Sequence, residues 1–174
     1  YEQMQRGSPL ELAESWDNPG LLVDCGRPVD RVLVTLDITP EVVQEAAAKG
    51  CGLIVAHHPV IFSPLKRLEP RDVPFQLVQN GISAICMHTN LDAAEGGVND
   101  ILARTLELKD LEMLTEEKIG RVGTLKCELP LVEFLPFVIK SLGCHGLRYV
   151  SCGKDVHRVA VGGGACGCYI PQAI

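Results

Sequence analysis

The stretch Gly52-Leu53-Ile54-Val55-Ala56-His57-His58-Pro59 decides the fold that this sequence predicts. Its apolar run, between a glycine and a proline-containing loop, is typical of a buried strand. A second apolar run, residues 82–87, is followed in the same way by His88. Because a helical pattern separates the two runs, they predict a βαβ unit, in which the strands lie parallel in one sheet. The sequence therefore predicts an α/β fold with a parallel or mixed sheet and helices on both faces.

The patterns around these runs complete a first domain, residues 1–118. Residues 31–36 predict a central strand that is buried on both faces, and residues 21–23 predict a short strand. Thr39-Pro40-Glu41 is typical of a helix start with Thr39 as the N-cap, and Gly50 is a usual C-terminal cap. Further helices are predicted over residues 8–16, 72–80 and 98–106.

After Leu108 the pattern changes, and residues 119–174 predict the start of a second, similar α/β unit. An amphipathic helix is predicted over residues 130–142, although Pro136 falls inside it and should kink or shorten it. Strands are predicted over residues 111–115, 121–128, 147–151 and 157–161.

Composition restricts the classes of function. The 174 residues carry a net charge of -6, with 47% hydrophobic and 22% charged residues, as in an ordinary globular protein. The acidic balance disfavours nonspecific binding to nucleic acid, which requires a basic face. No apolar run approaches the roughly 20 residues needed to span a bilayer, and the first residues lack the apolar core of a signal peptide. The eight cysteines include no CxxC pair, so we expect reduced thiols and a cytoplasmic location.

Three imidazoles and a carboxylate follow the two predicted strands. His57 and His58 come after the first strand, and His88 and Asp92 come after the second. The carboxyl ends of parallel strands meet at one edge of an open α/β sheet, where ligands bind. Neutral imidazole and carboxylate are ligands of zinc, manganese, iron and nickel. The pattern predicts a site for divalent metal ions, and we expect two ions.

Each of these residues also has a structural alternative. A histidine at a strand end more often makes a hydrogen bond than a metal bond, and adjacent histidines in an extended segment point to opposite faces. His57 and His58 would then bind different ions, provided that the turn into Pro59 lets both reach the pocket. His88 is a candidate catalytic acid–base residue, with a structural hydrogen bond as the alternative. Asp37 is a candidate to orient a ligand imidazole, with a helix cap as the alternative.

Two further features have competing interpretations. Gly162-Gly163-Gly164-Ala165-Cys166-Gly167 formally matches G-x-G-x-x-G after a strand. A dinucleotide site would also need a helix after it and an acidic residue about 20 residues further on, so we expect a tight packing turn. Trp16 is expected to be a core anchor rather than a substrate platform, while Asp17 and Asn18 beside it are candidates to line the pocket.

Four segments, in order, resemble one known family. They are Ser15-Trp16-Asp17-Asn18-Pro19-Gly20-Leu21, Leu36-Asp37-Ile38-Thr39, Ala56-His57-His58-Pro59-Val60-Ile61-Phe62 and His88-Thr89-Asn90-Leu91-Asp92-Ala93-Ala94. Together they resemble the Nif-three-like family, whose members are also known as type-two homologues of GTP cyclohydrolase I. The resemblance covers essentially the whole chain.

The resemblance implies two similar α/β domains, two metal ions in a pocket between them and a ring-shaped homohexamer. It implies His57, His58 and Asp92 as metal ligands, which relatives complete with a Gly-His…Glu motif that this sequence does not contain. It also implies a metal-dependent hydrolase that acts on a small molecule, a nucleotide or phosphoester. The alternative is a noncatalytic metal-binding scaffold or regulatory protein that forms a ring-shaped oligomer.

Overall fold

A mixed four-stranded sheet organises the first of two units, Tyr1–Leu91, in the computed structural model, which describes all residues 1–174. The sheet order is β1-β4-β3-β2, for the strands β1 (Gly20–Val23), β2 (Val32–Thr35), β3 (Leu53–Ala56) and β4 (Ser83–Cys86). The last three are parallel, and β1 runs antiparallel to β4. The helices of this unit are α1 (Glu2–Gly7), α2 (Pro40–Ala48) and α3 (Val73–Asn80), and the short α4 (Thr89–Ala93) spans the division between the units.

The helices that cover this sheet begin and end where their sequences predict. The Thr39 side chain accepts a hydrogen bond from the backbone N–H of Val42, and Pro40 is the first residue of α2. Helix α3 ends at Gly81, whose left-handed backbone, with φ of 67°, closes the last turn. The two helices bury Val43, Ala46 and Leu77 against Ile54 and Ala84 of the sheet.

Two predictions in the first unit are wrong. The strand predicted over residues 31–36 as central is the edge strand β2, and Val34 is 78% exposed. Leu33 packs against the core, so β2 is buried on one face only. A run of apolar residues does not by itself distinguish an edge strand from a central strand. The helix predicted over residues 8–16 is reduced to a single 3-10 turn, Leu10–Leu12. The Glu14 N–H instead donates to the Thr89 hydroxyl at 3.0 Å, a long-range bond that holds the segment outside helical geometry.

The second unit, Asp92–Ile174, is built on an antiparallel three-stranded sheet. Its strands, in the order β5-β6-β7, are β5 (Lys109–Met113), β6 (Arg121–Leu129) and β7 (Val156–Val161). Its helices are α5 (Val98–Thr105), α6 (Leu131–Leu142) and the short α7 (Ile170–Ala173). None of the protein's helices is long and apolar enough to cross a membrane.

Two details of the second unit differ from the prediction. Residues 147–151 form no strand. Helix α6 continues through Pro136 without being shortened. The proline removes one helical hydrogen bond, to the carbonyl of Val132, which lies in the exposed first turn. The two compact units divide at Leu91/Asp92, and the domain boundary at 118/119 stays a prediction.

Arg121 and Asp100 form a buried ion pair in the core of the second unit. The five N–H groups of the guanidinium all have acceptors, namely the Asp100 carboxylate and the carbonyls of Lys118, Gly120, Ala93 and Ala94. Burial raises the pKa of Asp100, but the Gly96 N–H and the Arg121 charge hold that pKa below its ordinary value. The pair is therefore ionised and fully hydrogen-bonded, which is the condition for a buried charge to be tolerated.

Candidate metal centre

Strands β3 and β4 bring three histidines together at their carboxyl ends. Ala56 and Cys86, the last residues of the two strands, are partners in the parallel register, so the loops that follow start side by side. One donor atom from each of His57, His58 and His88 lies within 4.8 Å of the other two. The ring centroids are 5.1 Å apart for His57–His58 and His57–His88, and 5.7 Å apart for His58–His88. The expected convergence of imidazoles at this edge is present in the structure.

A bend explains how two adjacent histidines reach the same cluster. Strand β3 ends at Ala56, and the chain bends at His57 and His58. Their backbone N–H groups continue the contact with the neighbouring segment, donating to the carbonyls of Thr35 and Leu36 at 3.3 and 3.0 Å. The two side chains therefore do not alternate across an extended strand, and their rings lie 5.1 Å apart at 48°.

Each histidine of the cluster has its Nδ1 atom bonded to an oxygen. His57 donates to the Met87 carbonyl at 2.9 Å, His58 to Asp37 Oδ1 at 2.7 Å and His88 to Asp17 Oδ1 at 2.8 Å. Carbonyl and carboxylate oxygens only accept, so Nδ1 carries the proton in all three rings. In the neutral form of such a ring the lone pair is on Nε2, the tautomer that metal-binding histidines adopt when their other nitrogen is held by an oxygen.

Asp17 has a fully buried side chain beside the cluster, with an exposure of 0%. Its carboxylate accepts four hydrogen bonds, from the His88 ring, the backbone N–H and hydroxyl of Thr89, and the backbone N–H of Asn18. Burial raises the pKa of Asp17, but the bonds from Thr89, His88 and Asn18 hold that pKa below its ordinary value. Asp17 is therefore a fixed negative charge that orients the His88 ring.

Asp37 orients the His58 ring in the same way, but this pair is more exposed to solvent. The Asp37 carboxylate contacts the His58 ring, and the two side chains are 57% and 47% exposed. The helix-cap alternative is taken by Thr39, whose side chain accepts from Val42. Asp37 therefore lies beside the His58 ring, the position that is needed to orient a ligand imidazole.

Cys86 lies next to the cluster but is not a thiolate. Its thiol donates to the His57 carbonyl at 3.0 Å. Burial, together with the negative charge of Asp17, raises the pKa of Cys86 to about 12. Cys86 is therefore a buried thiol bonded to the His57 carbonyl, and the group of possible metal ligands in the first unit is formed by the three imidazoles.

The fourth predicted residue, Asp92, belongs to the second unit. It lies in α4, four residues after His88, and its backbone carbonyl accepts from the Asn99 side chain at 3.0 Å. The Asn99 oxygen accepts in turn from the Gly163 N–H at 2.7 Å. A Cβ atom on Gly163 would lie 3.2 Å from Val98 and 3.8 Å from Asp92 Oδ1. The glycine-rich segment is therefore tightly packed at this point, and the role of Asp92 as a metal ligand stays a prediction.

The prediction that Trp16 anchors a core is wrong. Trp16 is 57% exposed, and its ring lies 6.0 Å from that of Phe62, which is also exposed, and 6.3 Å from that of His88. Sequence reasoning also missed the specific role of Asp17, although it placed Asp17 near the pocket. The two residues joined by the Asp17–His88 bond are 71 positions apart, and no local pattern marks such a pair.

The fold and the cluster define an α/β protein with a candidate tri-histidine metal centre at the carboxyl edge of a parallel strand pair. The family model described as Duf34/NIF3 (NGG1p interacting factor 3) matches residues 1–174, and the chain belongs to this family.

Individual relatives agree with this assignment. The chain is 37% identical over 185 residues to a GTP cyclohydrolase 1 type 2 homolog of Lactococcus lactis, covering 99% of the chain and 70% of that relative. It is 46% identical over 113 residues to NGG1-interacting factor 3 of Saccharomyces cerevisiae, covering 56% of the chain and 39% of that relative. The crystal structure of a hypothetical protein from Staphylococcus aureus superposes with a TM-score of 0.87 at 28% identity, covering 99% of the chain and 73% of the other. The chain thus spans well under half of the yeast relative and about seven-tenths of the bacterial one.

Proposed function

We propose that the protein binds divalent metal through His57, His58 and His88 and works as a metal-dependent hydrolase-like protein. The observation that carries this proposal is the convergence of three imidazoles, each with Nδ1 bonded to an oxygen. Donors bound tetrahedrally at 2.0–2.1 Å to one zinc ion stand about 3.3 Å apart, within the 4.8 Å that bounds this cluster. Imidazole donors suit zinc, iron and nickel, and the same residues serve manganese less well.

Three imidazoles on one ion would suit a catalytic metal site. Structural zinc sites are usually closed by four protein ligands, whereas catalytic sites keep three and an open position. A bound divalent ion would supply Lewis acidity and activation of water for hydrolysis. The protein's own contribution is orientation: Asp17 holds the His88 ring, Asp37 holds His58 and the Met87 carbonyl holds His57. Groups fixed in this way lose little freedom on binding.

The substrate we propose is a small molecule that contains a phosphoester, of the nucleotide class. Support comes from the name of the Lactococcus lactis relative, GTP cyclohydrolase 1 type 2 homolog, together with the hydrolytic chemistry that a tri-imidazole site would support. The same proposal includes a second metal ion and Asp92 as a further ligand.

A noncatalytic metal-binding protein is the second candidate. It is favoured by the name of the yeast relative, NGG1-interacting factor 3, which describes an interaction and no reaction. In this case the ion would stabilise the first unit, and no substrate would be turned over. We also propose a homo-oligomer, with a hexamer as the expected size. The proposed compartment is the cytoplasm, where thiols such as the eight free cysteines stay reduced.

Metal binding is tested by titrating the metal-free protein with zinc against a chromophoric chelator. Single alanine variants of His57, His58 and His88 should each weaken zinc binding by more than about 10-fold, because each removes one bond of three. The matched control is His145→Ala, which removes an exposed imidazole of the second unit and should leave the affinity unchanged. Equal affinities in all four variants would eliminate this centre. An Asp92→Ala variant and the number of zinc ions bound per chain test the two-ion form.

Catalysis is tested on the zinc-, iron- and manganese-loaded proteins with a panel of nucleotides and phosphoesters. Turnover that is lost in His58→Ala and kept in His145→Ala supports the hydrolase. Tight metal binding without any turnover that depends on His58 supports the noncatalytic alternative. Light scattering of the same preparations measures the oligomer, and a monomer would contradict the proposed assembly.

A further inference from the structure

Two exposed aromatic side chains stand together at the rim of the histidine cluster. The chain has one tryptophan and four phenylalanines, and Trp16 and Phe62 are 57% and 51% exposed. Their ring centroids are 6.0 Å apart, and the planes are inclined by 48°. Large aromatic rings are usually buried because they bring much apolar area. A pair that remains exposed in one place is therefore a candidate binding surface.

The pair lies directly beside the candidate metal ligands. The Trp16 ring is 6.3 Å from the His88 ring and nearly perpendicular to it, at 80°. His88 in turn lies 5.1 Å from His57 and 5.7 Å from His58. A flat molecule that packs on Trp16 would therefore lie close to the His88 ring. The geometry connects an apolar surface to a polar, metal-binding one within a single site.

Hydrogen bonds fix the two loops that carry these rings. The Asn18 side chain donates to the Ile61 carbonyl at 2.6 Å, which ties the loop of Trp16 to the loop of Phe62. Asp17, the neighbour of Trp16, is held by the four hydrogen bonds described above. Because the backbone on both sides is already restrained, a ligand would not have to order these loops on binding.

We propose that Trp16 and Phe62 form a stacking platform for a planar heteroaromatic ring, such as a nucleobase, whose polar substituent reaches the histidine cluster. This proposal rests on the proposed metal centre for the role of that substituent, and it adds the recognition of the ring. Two rings inclined at 48° offer a flat ligand one face to stack on and a second ring for an edge contact, the two geometries that aromatic pairs favour. An aliphatic phosphoester has no π face and gains neither contact.

The test compares adenosine 5′-monophosphate with ribose 5-phosphate, which lacks the ring. Trp16 is the only tryptophan, so its fluorescence reports on the platform alone. The nucleotide should quench this emission in a saturable way, and ribose 5-phosphate should not. By calorimetry, Trp16→Ala should weaken nucleotide binding about 5- to 150-fold, the usual range for the loss of a base–aromatic stack. Trp16→Phe, which keeps an aromatic face, should weaken it less, and Phe62→Ala should weaken it independently.

The matched control is Tyr149→Ala, which removes an exposed aromatic ring of the second unit and should not change nucleotide binding. Equal binding of the two phosphates, or nucleotide binding that is unchanged in folded Trp16→Ala, would overturn the platform. To distinguish this proposal from the metal centre, the same nucleotide titrations are repeated on His58→Ala and on chelator-treated protein. Ring-dependent quenching that survives the loss of zinc supports the platform and rejects only its link to the metal. Normal zinc binding with no dependence on Trp16 rejects the platform and leaves the metal centre standing.

Discussion

Replacing Asp17 by asparagine should weaken metal binding much more than the same change at Asp37. Both carboxylates orient a histidine of the cluster, at 2.8 and 2.7 Å, but their surroundings differ. The Asp17 side chain is 0% exposed, whereas that of Asp37 is 57% exposed. A charge-assisted bond out of contact with water is stronger and less screened than one in water. The two positions therefore compare a buried carboxylate that accepts four hydrogen bonds with an exposed one that accepts a bond from His58.

The expected magnitudes follow from this difference. Loss of a buried group that orients a metal-binding histidine typically costs 10- to 100-fold in metal affinity, which corresponds to about 1.4–2.7 kcal/mol. We expect Asp17→Asn to fall in this range for zinc. An exposed ion pair contributes about 0.2–1 kcal/mol, so Asp37→Asn should weaken zinc binding less than about fivefold.

Asp17→Asn also has a cost in stability that the assay must separate from affinity. The carboxylate accepts four hydrogen bonds on two oxygens, and an amide keeps only one of those oxygens. The donors that face the new NH₂ group lose their acceptor, which costs about 1–3 kcal/mol of folding free energy for each unsatisfied group. Zinc affinity should therefore be measured by chelator competition at low temperature, on protein shown to be folded by circular dichroism.

A double-mutant cycle decides whether Asp17 acts through His88. In a His88→Ala background, Asp17→Asn should cause no further loss of zinc affinity, because the ring that it orients is absent. Two results would refute the reasoning: an unchanged zinc affinity in folded Asp17→Asn, or equal losses at Asp17 and Asp37. An effect of Asp17→Asn that is the same with and without His88 would show that the carboxylate acts on the fold in general.

Three further predictions concern the second unit. Arg121→Met should lower the free energy of unfolding, measured by urea titration, by about 3–5 kcal/mol, because it leaves Asp100 buried without its partner. The control is Arg104→Met, whose side chain is 63% exposed and 3.7 Å from the same carboxylate; this change should cost less than about 1 kcal/mol. The pKa of Asp100 in the folded state is lowered, so the stability that its ionised form contributes is complete above the unfolded pKa near 4 and is lost as pH falls below that value. The difference in the free energy of unfolding between the protein and Asp100→Asn should therefore stay constant from about pH 5 to 7 and shrink at more acid pH. A difference that grows on acidification would contradict this. Gly120→Ala should lower the free energy of unfolding by more than about 1 kcal/mol, because a Cβ would lie 2.8 Å from Leu114 and 3.0 Å from the Val161 carbonyl, and because the φ of Gly120 is +73°. The control is Gly146→Ala, where nothing lies within 4 Å of the added atom, and it should change the stability little.

The elements that the sequence predicted well are those whose cause is local. Thr39 and Gly50 bracket α2 because capping depends on residues within one turn. The buried strands β3 and β4 follow from their apolar runs, and the histidines after them converge because parallel neighbours end at the same edge. The position of the histidine cluster therefore follows from two local patterns and one general rule of α/β topology.

The elements that the sequence did not predict depend on distant partners. The exposed side of β2 follows from its place at the edge of the sheet, which a run of apolar residues does not encode. The segment after Ser8 departs from a helix because Glu14 bonds to Thr89, and Trp16 is exposed because its loop is tied to the cluster rather than to the core. Each of these outcomes is a tertiary contact that overrides a local preference.

The two buried carboxylates show how burial can be separated from function. Asp100 faces a guanidinium that is always charged and has every donor satisfied, so the pair is sufficient as a structural unit. Asp17 is buried just as fully but faces an imidazole, a ring that exists in two tautomers. A neutral amide would keep only one of the two oxygens, so some of the four donors around Asp17 would lose their acceptor. The same carboxylate accepts from the His88 ring and so fixes its tautomer and orientation. Asp17 therefore serves both the stability of the fold and the geometry of the cluster, whereas Asp100 serves the fold alone.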